Sequence, residues 1–190
     1  MKLFSFITLI FLTFDCSGKP LIPSEVIYTT DQLEFSLSDQ KLVIDYMIQT
    51  IERSTFTLGK NYQKTQGNWI LGPLINDTDE HINTNHIMQS IRNQLIDKNI
   101  AKFANVTVKE TDDLKTIQKK SGKAKARYLL KGYMSNIRKY KKNVSFQIIL
   151  QIVDLTASEI VWGKTFIINK IFKRNDSHNS IPSDDQYRFR

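Results

Sequence analysis

Val144-Ser145-Phe146-Gln147-Ile148-Ile149-Leu150-Gln151-Ile152-Val153-Asp154 is the stretch that decides the fold. Val144, Phe146, Ile148, Leu150 and Ile152 alternate with Ser145, Gln147, Ile149, Gln151 and Val153. A period of two sustained over such a run puts one apolar row on a single face of a β-strand. Downstream, Thr156-Ala157-Ser158 turns the chain back. Glu159 to Lys170 then alternates Ile160, Trp162, Phe166 and Ile168 against Gly163, Thr165 and Asn169. Upstream, Arg127 to Arg138 reads as a strand centred on Tyr128-Leu129-Leu130-Lys131-Gly132-Tyr133-Met134, and the basic turn Lys139-Tyr140-Lys141-Lys142-Asn143 closes the gap. Three long strands joined by short turns predict an antiparallel meander.

The earlier half alternates helix and strand. Leu42, Val43, Tyr46, Met47, Thr50 and Ile51 predict a helix from Ser38, its N-cap, to about Ser54, with Asp39 in the first turn and Gly59 at its exit. Gly67-Asn68 leads into a strand at Trp69 to Asn76. Asp79-Glu80 then opens a second helix carrying Ile87, Ile91 and Leu95 and ending near Lys98-Asn99. A strand at Phe103 to Val108 and a helix at Thr111 to Lys120, stopped by Ser121-Gly122, complete the series. This order predicts an α+β fold: a mixed or antiparallel sheet of about five strands, a C-terminal three-strand meander, and helices packed on the sheet. The domain is expected over 37–172, with a disordered polar tail at 173–190.

The front end concerns location. Lys2 precedes an apolar run from Leu3 to Phe14, and Asp15-Cys16-Ser17-Gly18-Lys19-Pro20 turns polar. About a dozen apolar residues suit a signal peptide and fall short of the ~20 that span a bilayer. Cys16 is the single cysteine of the chain, so it makes no internal disulfide. Its place at the end of the leader resembles a bacterial lipoprotein signal, in which the thiol is diacylated and residues 1–15 are removed. Thr13 and Asp15 depart from the aliphatic and small residues usual there, which leaves secretion with cleavage elsewhere, or an uncleaved anchor, as alternatives. Residues 16–36, with Pro20 and Pro23, read as a flexible tether reaching on the order of 60–70 Å.

Composition narrows the partners. A net charge of +8 and a pI near 9.5 suit an anionic partner or reflect a lysine-rich surface. Export excludes nucleic acid. His81 and His86 are five apart and do not share a helix face as an i,i+4 metal pair does. His178 lies in the tail, and Asp112-Asp113 most simply begins a helix. No glycine-rich phosphate loop or nucleophile–base spacing occurs. The expectation is no enzyme activity, no cofactor and no metal.

Gly72-Pro73-Leu74-Ile75-Asn76-Asp77-Thr78 and Asp154-Leu155-Thr156-Ala157-Ser158-Glu159-Ile160-Val161-Trp162, with Tyr128-Leu129-Leu130-Lys131-Gly132 between them, carry a family resemblance. The arrangement resembles the LpoB family of penicillin-binding-protein activators, outer-membrane lipoproteins whose domain is related to the amino-terminal domain of TolB. It covers residues 36 to 171, and the hairpin turn, Gly-bearing in the family, has Ala157-Ser158 here. Asn76 and Thr78 suit a helix entry, and Trp162 a large buried area on the last strand. The resemblance implies a non-enzymatic, lipid-anchored protein on the periplasmic side of the outer membrane. Its partner would be a bifunctional penicillin-binding protein whose peptidoglycan synthesis it raises. A structural subunit of a secretion or flagellar assembly, or a surface-displayed anion-binding lipoprotein, are the other readings.

Overall fold

In the computed structural model, which describes residues 22–59, 68–140 and 142–173, the alternating stretch is the middle strand of five. The elements are β1 (Glu25–Thr30), α1 (Leu37–Glu52), α2 (Thr55–Leu58), β2 (Asn68–Asp77), α3 (Thr84–Asp97), α4 (Leu114–Lys123), β3 (Ala126–Tyr140), β4 (Asn143–Asp154) and β5 (Glu159–Phe172). The sheet order is β1-β5-β4-β3-β2. The expected meander β3-β4-β5 is antiparallel, while β2 joins β3 and β1 joins β5 in parallel. The fold is α+β with a mixed sheet.

Alternation on β4 sorts the two faces. Leu130, Ile152 and Trp162 align across β3, β4 and β5, as do Met134, Ile148 and Phe166. This inner face meets Val43, Met47 and Ile51 of α1 and Ile87, Ile91 and Leu95 of α3, all fully buried. Each such side chain contributes roughly 1.5–3 kcal/mol by leaving water. The outer face holds a smaller cluster, Ile70, Leu129, Val153 and Leu155, under Ile117 of α4.

Five strands were expected and five are present, but one differs. Phe103 to Val108 makes a single bridge, Trp69 to Phe103, with Trp69 N–H donating to Lys102 O at 2.7 Å and Ala104 N–H to Trp69 O at 2.8 Å. Beyond it, Pro73 in β2 has no N–H for a ladder and the register shifts between Leu71 and Leu74. The alternation there serves burial: Phe103 packs on the Trp69 ring, while Ala104, Val106 and Val108 pad the outer cluster. The fifth strand is β1, inside the segment read as tether. Its Glu-Val-Ile-Tyr-Thr-Thr composition is β-branched and aromatic, which suits a sheet edge better than a linker.

Helix starts also moved. Ser36, not Ser38, caps α1 in a capping box with Asp39. Asn83, not Asp79-Glu80, caps α3 through the His86 N–H. That helix ends as expected: Asn99 takes φ 55, with Ile100 N–H on Leu95 O and Asn99 N–H on Ile96 O, a Schellman closure with asparagine in glycine's usual place. α4 begins at Leu114 behind Asp113 and runs through Ser121-Gly122 to Lys123. In β5 a register shift opposite Ile152/Val153 breaks the alternation, so Ile160 is 58% exposed while Trp162 is buried.

Candidate functional site

Most polar residues singled out in the sequence turn out to hold structure. Among the described residues no group of three His, Cys, Asp or Glu side chains is placed to hold a metal ion. His81 lies in the loop before α3 and His86 in its first turn. Asp113 caps α4 by accepting from Thr116 N–H at 2.9 Å, and Asp112 pairs with Lys120 at 2.5 Å. Cys16 and His178 lie outside the described residues. So do the side chains of Arg138, Lys139, Tyr140 and Lys141 at the basic turn, where the backbone pairs Tyr140 with Asn143.

Asn76 and Thr78 do not cap a helix. Asn76 Nδ2 donates to Glu80 O at 2.8 Å, Asn76 Oδ1 accepts from Thr78 N–H at 3.1 Å, and Thr78 Oγ1 accepts from Glu80 N–H at 3.2 Å. They tie the loop after β2 to itself. The Glu80 carboxylate in turn accepts from Phe35 N–H at 2.7 Å, across 45 residues of sequence. Helix entry proved to be Asn83's task, seven residues after Asn76 and five after Thr78.

Two surfaces remain for recognition. The first is the part of the outer sheet face that α4 does not cover. Ile75, Tyr133, Ile149 and Thr165 form one cross-strand row, flanked by Ile167, Ile171 and Ile27. Ile27 is 65% exposed and Tyr133 37%, and Tyr133 O–H donates to the Asp77 carboxylate. Ile149 and Ile167 belong to neither buried cluster. A polar rung crosses the same face, where Asn169 bonds Ser145 and Glu25. Sequence reading placed Ile75, Ile149 and Ile167 in strands, left Ile27 in the tether, and had no way to tell which sheet face a helix leaves bare.

The second surface is α4. Lys115, Lys119 and Lys123 recur every four residues, opposite buried Ile117 and Ser121, so they share the solvent side. The helix is fixed to the β4–β5 turn, where Gln118 Nε2 donates to Leu155 O at 2.8 Å and to Ser158 Oγ at 3.0 Å. Ser158 takes φ 60, the conformation for which glycine is the ordinary choice. The turn is held from inside by Asp154. Its Oδ2 accepts from Arg127 Nε at 2.9 Å, and its Oδ1 accepts from the N–H groups of Thr156 and Ala157.

Burial opposes ionisation of Asp154, but the Arg127 guanidinium and the two backbone N–H groups outweigh it and hold the carboxyl below its ordinary value. A carboxylate with a lowered folded pKa adds stability above its unfolded pKa, near 4, and loses it as pH falls through the folded pKa. Asp154→Asn is therefore expected to lower stability at pH 7 and to flatten the loss of stability below about pH 4. Urea unfolding at pH 7 and pH 3 measures both. An acid slope as steep in the variant as in the parent would remove Asp154 as its source.

A search of curated protein sequences finds no match to this chain. The family model described as peptidoglycan-synthase activator LpoB matches residues 39–166, from the first turn of α1 to the middle of β5. The chain belongs to the LpoB family. Among solved structures it is similar to the LpoB C-terminal domain from Salmonella enterica, at 17% identity over 64% of this chain and 93% of that one, with a TM-score of 0.47. The LpoB C-terminal domain from Escherichia coli is 15% identical over 53% of this chain and 82% of its own, with a TM-score of 0.41. The PelC dodecamer from Paraburkholderia phytofirmans is 16% identical over 53% and 69%, with a TM-score of 0.40. As an LpoB-family domain, this one carries both motif segments of the resemblance in structural turns: Asn76–Thr78 after β2, and Asp154–Ser158 between β4 and β5.

Proposed function

We propose that this protein is a lipid-anchored periplasmic regulator that binds a bifunctional penicillin-binding protein and raises its peptidoglycan synthesis. The single observation carrying this reading is the family match across 39–166, which takes in every element from α1 through most of β5. Diacylated Cys16 would hold it to the outer membrane, on the periplasmic side. No helix among the described residues is long and apolar enough to cross a membrane; the attachment is assigned to Cys16 because it stands where the apolar leader ends.

The part of the protein that meets the synthase is assigned to the open half of the outer sheet face. An exposed apolar row with Tyr133 near its middle has the composition of an interface core, in which aromatic and aliphatic side chains exclude water. The role is non-catalytic: the protein acts by contact.

The purified mature lipoprotein, added to a purified bifunctional penicillin-binding protein with lipid-linked precursor, is expected to bind it and to raise the rate of glycan polymerisation. Tyr133→Ala should weaken that binding by about 10-fold or more, the loss of one interface aromatic. No binding and no change of rate with any such synthase from the same cell would overturn the reading. Ring-shaped oligomers without synthase binding would point instead to an envelope-assembly subunit.

A further inference from the structure

The positive charge of this chain is concentrated beside the open sheet face. Residues 109–131 hold eight lysines and arginines against three acids, which is +5 of the +8 in the whole chain. Two of those cations are neutralised, Lys120 by Asp112 and Arg127 by Asp154. Lys115, Lys119 and Lys123 on α4, and Lys131 on β3, are exposed and have no acidic partner among the described residues. Within the helix the stripe is a cost. Like charges at i,i+4 spacing repel, and Lys115 stands in the first turn, where the helix dipole disfavours a cation. Lys123, in the last turn, is the one the dipole favours.

Register sets these cations against the apolar row of Ile75, Tyr133, Ile149 and Thr165. On the α4 side of that row lie Lys131, Gln151 and Gly163. Beyond them come Leu129 and Val153, which Ile117 of α4 covers. On the other side lie Asp77, Ser135, Gln147, Ile167 and Glu25, a row with a carboxylate at each end. Asp77 accepts from Tyr133 O–H and Glu25 from Asn169 Nδ2. The open face is therefore apolar in the middle, basic toward α4 and acidic at the opposite margin. From Tyr133 to Leu129 is four residues, about 13 Å along the strand. A partner burying about 800 Å² here covers a patch of about 16 Å radius, so one centred on Tyr133 reaches α4.

We infer, on the reading that this face binds a synthase, that Lys131 and the α4 stripe form a basic rim which steers and orients that partner. The partner meets the rim with carboxylates that border its own apolar patch. The two charged margins favour one orientation of such a surface and oppose the same surface turned end for end. Rim charges act on the rate of encounter more than on the life of the complex. The lysines draw the partner in, and the row around Tyr133 holds it. A second copy of this chain fits poorly: on this face it offers Asp77 and Glu25, both already hydrogen-bonded, against four lysines. It also brings a net charge of +8 of its own.

The test measures association and dissociation rates of the purified mature protein with a purified bifunctional penicillin-binding protein in detergent, at low salt and at about 0.5 M salt. Lys115→Gln/Lys119→Gln/Lys123→Gln is expected to slow association about 10-fold at low salt and to leave dissociation within about twofold of the parent. High salt should erase the difference by screening, and circular dichroism checks that the triple variant folds. Tyr133→Ala should do the reverse, speeding dissociation at either salt. Lys41→Gln/Lys98→Gln removes exposed lysines from α1 and the end of α3, over the opposite sheet face, and should slow association by less than about twofold. Equal association of parent and triple variant at low salt overturns the rim while the binding itself stands. A control variant as slow as the triple one overturns it in favour of net charge, and a triple variant that associates faster shows a basic partner and overturns it too. Dimers of the chain that the triple variant abolishes, with synthase binding unchanged, overturn it in favour of self-association. A parent that binds no such synthase removes the synthase reading, and the rim with it.

Discussion

Lys170→Met is expected to destabilise the domain by about 3–5 kcal/mol, because it leaves a buried carboxylate without its cation. Lys170 is 1% exposed and Asp39 is fully buried, with Nζ to Oδ2 at 3.0 Å. The ammonium also donates to Glu34 O and lies 5.8 Å from the Tyr28 ring centroid. Asp39 in turn accepts from Tyr28 O–H, and from the N–H and Oγ of Ser36, each of the latter at 2.7 Å. One carboxylate thus joins the edge strand β1, the cap of α1 and the last fully buried position of β5. Asp39→Ala should cost a similar amount, since it strands the lysine and removes the N3 half of the capping box. The double variant Asp39→Leu/Lys170→Met should recover most of the loss, because no buried charge is then left alone. Urea unfolding at pH 7 gives the three numbers. A single variant costing under 1 kcal/mol, or a double variant costing the sum of the two, would show that the pair is not what holds these elements together.

The same variant bears on the edge of the sheet. Within the sheet β1 pairs with β5 alone, and the Lys170 cluster is its tie to α1. With Lys170→Met, amide exchange in Glu25–Thr30 should quicken before that of β3 or β4, since an edge strand with few contacts opens locally. The buried pair therefore holds the edge strand in place as well as setting the stability of the fold.

What was legible in the sequence follows from where each signal resides. The meander was plain because Val144 to Ile152 keeps a strict period of two, and a strand with one buried face writes that period directly into its side chains. The stripes of α1 and α3 were plain for the same reason at a period of 3.6. Trp162 was found as a buried anchor because size and position on the last strand agree. β1 was hidden by its neighbours: Pro20, Pro23 and two threonines suggested a tether, and a six-residue strand pairing with a segment about 140 residues away leaves no local mark. Phe103 to Val108 was the converse, alternation without a ladder, because a loop laid over a sheet buries every second residue just as a strand does. Lys170 was read as the polar end of a strand, and no spacing rule foretells a lysine sealed inside by a carboxylate 131 residues away. The lysines of α4 were counted in the net charge. Their stripe became visible once the helix was seen to extend to Lys123, since a helix stopped at Lys120 leaves out the third member.

Gly132→Ala is expected to be the most damaging single methyl in the molecule. Gly132 sits on β3, paired with Leu74 on one side and Leu150 on the other. Its φ is not positive, so the constraint is space and not backbone conformation. A Cβ there would lie 2.3 Å from Leu150 Cδ2, 2.7 Å from Ile149 O and 2.8 Å from Leu74 Cδ1. A side-chain methyl can rotate away, but the Ile149 carbonyl is part of the β3–β4 ladder and cannot retreat without parting the strands. Overpacking of this kind costs about 1–3 kcal/mol, with the upper end expected where backbone must move. Trimming Leu150 in the Gly132→Ala background should therefore fail to restore stability, since it clears the nearest atom and leaves the carbonyl in place, while opening a cavity of its own. Two other glycines serve as controls. At Gly163 the nearest atoms to an added Cβ lie at 3.7 Å or beyond, so Gly163→Ala should gain about 0.5–1 kcal/mol from the stiffer unfolded chain. At Gly122, inside α4, nothing lies within 4 Å, and Gly122→Ala should gain a similar amount from helix propensity. Thermal unfolding of the three alanine variants side by side should lower the midpoint for position 132 and raise it for 163 and 122. A midpoint for Gly132→Ala within a degree of the parent would mean that β3 and β4 separate freely at this crossing, and the tight inner face described for Leu74, Gly132 and Leu150 would have to be abandoned.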